Sequence, residues 1–169
     1  METEWSVPVI NIEPYIAGGD VASRASVARS VDEANRTVGF LQVVGHGISD
    51  ATIGGLAEAI DNIFSLPLEE KMALCAPPKA NRGYFASQSS SLSRTIGIEQ
   101  TYGRNDYFEA YNVGTTAEDF PGLDLPAPPY ASNLWPSIDN WRDRVNAYRL
   151  EAARVARTLV AIYADALHP

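Results

Sequence analysis

Cysteine is nearly missing from this chain: Cys75 stands alone among 169 residues, so no internal disulfide can form. Positive charge is also short. Lys and Arg total 13 against 21 Asp and Glu, a formal net charge of -8. That balance repels polyphosphate, and no basic stripe interrupts it, which argues against nucleic acid and anionic membrane surfaces as partners. Long hydrophobic runs are lacking, and nothing approaches the roughly 18 consecutive apolar residues of a membrane span. The opening Met1-Glu2-Thr3-Glu4-Trp5 is acidic where a secretory signal would carry a basic segment and an apolar run. A reducing cytoplasm is the expectation from these features. Phosphate-binding glycine loops are absent, and no Gly-X-Ser-X-Gly elbow surrounds any serine.

What the chain does hold is an ordinary globular composition, 46% hydrophobic and 20% charged, enough for one domain with a sizeable core. Val7-Pro8-Val9-Ile10-Asn11-Ile12 is short and β-branched, which predicts a strand. Val27, Val31, Ala34 and Val38 recur at spacings of three and four, one face of a helix that Gly39 is placed to end. The apolar run Phe40-Leu41-Gln42-Val43-Val44 suits a strand covered on both faces. After Gly45-His46-Gly47, Ser49 or Asp50 can cap a helix reaching Phe64, with Ile53, Leu56, Ile60, Ile63 and Phe64 as its apolar positions. Pro67 begins a short helix from Leu68 to Leu74, and Pro77-Pro78 stops it. A polar stretch with serines from Ser87 to Ser93 follows, then a Tyr- and Phe-rich strand from Asp106 to Val113. Five prolines between Phe120 and Pro136 mark a connector.

The last segment reads as the clearest helix. Ser137 is a natural cap, and Ile138, Trp141, Val145, Tyr148, Ala152, Val155, Leu159, Ile162 and Ala166 form a stripe at spacings of three and four. A second set, Ala156, Val160, Tyr163 and Ala164, widens the apolar face toward the C-terminus, as in a helix that packs beneath a larger body.

Few residues invite a chemical role. His46, between two glycines, reads best as a turn residue whose imidazole hydrogen-bonds neighbouring backbone. His46 is followed at the third position by Ile48 and His168 by Pro169 alone, so neither begins a His-X-Asp or His-X-Glu metal pattern. Cys75 reads as a packed thiol. Asp106 and Glu109, three apart in a strand, fall on opposite faces and read as structural or solvent-facing. Arg82-Gly83-Tyr84 carries more: a guanidinium beside a glycine and a phenol can grip a carboxylate while the ring lines a pocket.

Taken in order, these elements resemble the N-terminal region of the isopenicillin N synthase-like family of non-haem Fe(II)/2-oxoglutarate-dependent dioxygenases. Val7 to Ile12 is similar to the family's "VPVIDL" strand, and Gly39 to Ile48 to its "GFFQVVNHGI" signature. Phe64, Leu66-Pro67 and Glu70-Lys71 resemble "FF.LP.EEK", Arg82-Gly83-Tyr84 the "RGY", and Asn133-Leu134-Trp135-Pro136 the "N.WP" before the long helix. Gly45 departs from the family's usual Asn, which would loosen that turn.

The resemblance implies an α+β fold: the N-terminal helix and strand region of a double-stranded β-helix (jelly-roll) oxygenase whose catalytic core is largely absent. It implies one incomplete domain, with an α/β region over 1–119, the connector at 120–136 and the helix at 137–167. It implies Fe(II) and 2-oxoglutarate in the intact enzyme, neither held by this chain alone, and a small organic substrate. Arg82 and Tyr84 are then expected at the substrate, with no catalytic, cofactor or metal residue assigned. The 137–167 helix should meet the missing core or self-associate. The competing expectation is a non-catalytic, stand-alone binding or regulatory module built from the same front half.

Overall fold

The structure, a computed structural model, describes residues 6–77, 80–87 and 107–167. It divides into two compact units, Met1–Leu56 with Asp143–Pro169, and Ala57–Arg142.

In the first unit, β1 (Val9–Asn11) pairs in parallel with β2 (Gln42–Val44), in the register Val9 to Gln42, Ile10 to Val43 and Asn11 to Val44. A parallel pair needs a crossover, and it runs through the single turn α1 (Glu13–Ile16) and the longer α2 (Val21–Thr37). The Asp20 carboxylate caps α2 by accepting from the Ser23 amide at 2.7 Å. The helix closes where the Val38 and Gly39 amides both donate to the Ala34 carbonyl, with Gly39 in the left-handed region at φ 80°. Its buried residues are Val27, Ala28, Val31 and Ala34, matching three of the four positions that the spacing picks out. All but Ala28 join Ile10, Ile12, Val155 and Ile162 in one core. The expectation of a β2 covered on both faces fails. Among the described residues its sheet has two strands; of the run, Leu41 and Val43 pack against the core, and Phe40 and Val44 stay 69% and 45% exposed.

α3 (Asp50–Phe64) is capped by the Ser49 hydroxyl, which accepts from the Thr52 amide at 3.1 Å. Its buried positions are Ala59 and Ile63, one helical turn apart, whereas Ile53 and Ile60 lie on a neighbouring edge and remain exposed. The small side chain of Ala59 marks the true inner face, so the larger isoleucines mislead the periodicity.

The second unit holds α4 (Leu68–Met72) behind Pro67, and the antiparallel pair β3 (Gly83–Phe85) and β4 (Ala110–Asn112). Cys75 bridges to Gly83 through its backbone, and its thiol is exposed and free rather than packed. β4 is shorter than the aromatic run suggests, and Asp106 lies outside the described residues, as does most of the serine-rich stretch.

The proline-rich connector is tied down along its length. A short 3-10 helix (Ala117–Asp119) is closed by a reciprocal cap between Thr116 and Asp119, and the Ala117 amide donates to the Tyr130 carbonyl. Asn133 grips Gly114 twice, accepting from its amide and donating to its carbonyl, both at 2.8 Å. The Tyr111 hydroxyl donates to the Leu134 carbonyl at 2.8 Å.

The final helix, α5, spans Trp141–Leu167. It starts later than Ser137 because Asn140 sits in the left-handed region at φ 57°, which interrupts helical geometry. Trp141, Val145, Val155 and Ile162 are buried along the stripe that the sequence marks, while Val160 and Tyr163 of the second set are exposed.

Candidate functional site

In the first unit the chain turns sharply at Gly45-His46-Gly47, with both glycines in the left-handed region, φ 69° and 72°. The His46 Nδ1 accepts from the Ile48 amide at 3.1 Å, and Nη2 of Arg154 donates to the His46 carbonyl at 2.9 Å. His46 is therefore a turn residue, as its setting predicts. Gly45 does not loosen the turn. A Cβ there would collide with Oδ1 of Asn11, which itself accepts from the Glu13 amide at 2.9 Å, so the missing side chain is what lets β1 and the turn close.

The second unit brings together the residues that the sequence singles out. Gly83 opens β3 at φ 72°, pressed against the Leu74 carbonyl so that no side chain fits. Arg82 precedes it and is buried. Its Nη1 donates to the Asn81 and Ala80 carbonyls at 3.0 and 3.5 Å, and its Nη2 to those of Thr115 and Pro129 at 2.7 and 2.8 Å. Gly114 lies against the guanidinium carbon, where a Cβ would come within 2.5 Å of Cζ. Only Nε, buried, lacks a partner among the described residues. Arg82 thus fastens the connector to the start of β3, with both terminal nitrogens engaged by backbone.

Tyr84 follows on β3 at 3% exposure. Its hydroxyl donates to Oε2 of Glu109 at 2.5 Å, and Nζ of Lys71 reaches that same oxygen at 2.8 Å. Lys71 also donates to the Phe64 carbonyl at 3.2 Å and lies 5.4 Å from the centre of the Tyr84 ring. Burial and the adjacent carboxylate push the Tyr84 phenol up to about 12, while hydrogen bonds from Lys71 and Tyr84 hold the Glu109 carboxyl below its usual range. The phenol stays protonated and the carboxylate stays charged. The geometry is that of a donor–acceptor cluster on one carboxylate oxygen.

Sequence reading places Glu109 among structural residues without finding its partners. It misses Lys71, because a lysine in Glu69-Glu70-Lys71 looks like solvated helix surface, although it is buried. The signal available is a carboxylate in an aromatic run, which needs a cation when half-covered. Asn133 and Gly114 escape as a pair, since no local pattern links them. Among the described residues no group of three or more His, Cys, Asp or Glu is placed to hold a metal ion, and none of their helices is long and apolar enough to cross a membrane. His168 lies outside the described residues.

Comparison with known proteins places this arrangement. A family profile described as non-haem dioxygenase in morphine synthesis N-terminal matches residues 7–138. A homoarginine-6-hydroxylase of Oryza sativa subsp. japonica is 32% identical over 138 residues, 78% of this chain and 39% of that protein. A validamycin A dioxygenase of Streptomyces hygroscopicus subsp. limoneus is 31% identical over 96% of this chain and 43% of its own length. The crystal structure of a full-length Neurospora crassa protein in complex with alpha-KG and thymine aligns with a TM-score of 0.74 at 20% identity, over 99% of this chain and 50% of that one. This chain therefore spans less than half the length of the two curated relatives and shares the fold of half of the Neurospora crassa protein.

Proposed function

Because the chain belongs to the non-haem dioxygenase N-terminal family, we propose that it is the N-terminal part of an Fe(II)- and 2-oxoglutarate-dependent dioxygenase that oxidises a small organic molecule. The observation that carries this reading is the match over residues 7–138, running from the first strand through β4 and the connector to the approach to α5. The relatives named above act on homoarginine and validamycin A, which supports a small polar substrate. The described residues do not supply a ligand set for iron, so no step of the oxidation is assigned to them.

What these residues contribute is shape. The segments at 1–119, 120–136 and 137–167 act as one incomplete domain that the catalytic core completes. Arg82 and Tyr84 serve the substrate side by position. Arg82 holds the connector against β3, and Tyr84 ties Glu109, with Lys71 on the same carboxylate oxygen, to β3. A direct grip by Arg82 on a substrate carboxylate would have to displace backbone carbonyls, leaving Nε as its free donor.

The test reads the coding sequence downstream of Pro169. An in-frame His-X-Asp and a later His support the reading. The full-length product should then convert 2-oxoglutarate to succinate in the presence of substrate, and the 169-residue chain should not. A folded 169-residue product that binds iron and turns over 2-oxoglutarate unaided would overturn it.

A further inference from the structure

We draw no further inference here: the strongest candidate, the groove between β1 and the Ser26, Ser30 and Glu33 edge of α2, carries no proposal because nothing in the structure shows what covers it.

Discussion

The Tyr84 hydroxyl and the Glu109 carboxylate meet at 2.5 Å between β3 and the approach to β4, and Lys71 of α4 joins them on the same carboxylate oxygen. A single oxygen therefore ties three segments of the second unit together. Tyr84→Phe should cost about 1 kcal/mol in denaturant unfolding, the usual worth of one hydrogen bond. Glu109→Gln should cost more, about 2 kcal/mol, because Lys71 is left buried with a neutral partner. The two changes together should cost less than their sum, a coupling readable in a double-mutant cycle.

Alkaline pH should loosen the same unit. The Tyr84 and Tyr111 phenols are both pushed up to about 12 from 10.0, Tyr84 by burial and Glu109, Tyr111 by burial. A group whose folded pKa is raised contributes stability that is fully present below the unfolded value and lost as pH climbs through the folded one. Melting temperature should hold up to about pH 10 and fall toward pH 12. Tyr84→Phe should make the fall shallower; an unchanged profile would count against the cluster. On the acid side the sign reverses. Glu109 is held below its usual range, so its contribution is present above the ordinary carboxylate pKa and disappears as pH falls through the lowered one.

Arg82 invites a sharper test. Its Nη1 and Nη2 serve carbonyls at 80, 81, 115 and 129, so Arg82→Ala should cost about 2–4 kcal/mol by stranding them. Arg82→Lys should recover only part of this, because an ammonium cannot fork to diverging acceptors. Amide exchange in the connector should quicken in both variants. Unchanged exchange would show that the connector holds without the guanidinium.

The sequence discloses these elements unevenly, for physical reasons. α2 and α5 are legible because their buried residues are the large aliphatics of a regular period, as Val27, Val31, Val155 and Ile162 show. α3 is legible as a helix and only partly in its facing: Ile63 is buried as its spacing suggests, but Ala59 is buried too while Ile53 and Ile60 are exposed. The turn at His46 is legible because glycines on both sides leave the backbone little alternative. The site is half legible. Arg82 and Tyr84 stand out by type, but their partners Pro129 and Glu109 lie 47 and 25 residues away, beyond the reach of any local pattern.

Gly45 and Asn11 form a pair that can be tested by exchange. Gly45→Asn should destabilise this chain by about 2 kcal/mol or more, because the new Cβ meets Oδ1 of Asn11 even though asparagine tolerates positive φ. Adding Asn11→Ala should recover a good part of the loss. If the single variant melts like the parent, the close approach of β1 to the turn is not what selects glycine.

The exposed edge of α5 predicts behaviour in solution. Leu150, Val160 and Leu167 are all open to solvent on one helix. Sedimentation of the 169-residue chain should show self-association, and Val160→Glu with Leu167→Glu should shift it toward monomer without lowering the melting temperature. A monomer at all concentrations in the parent chain would contradict this.

The double grip of Asn133 on Gly114 makes the connector behave as a latch. One side-chain amide satisfies both the donor and the acceptor of one residue, so neither bond survives a rotation that breaks the other. The two bonds therefore break together, while Arg82 and the Ala117–Tyr130 bond hold the segment at separate points. The Gly114 amide becomes a reporter for this one tie. Its exchange with solvent should report how often the Asn133 grip opens.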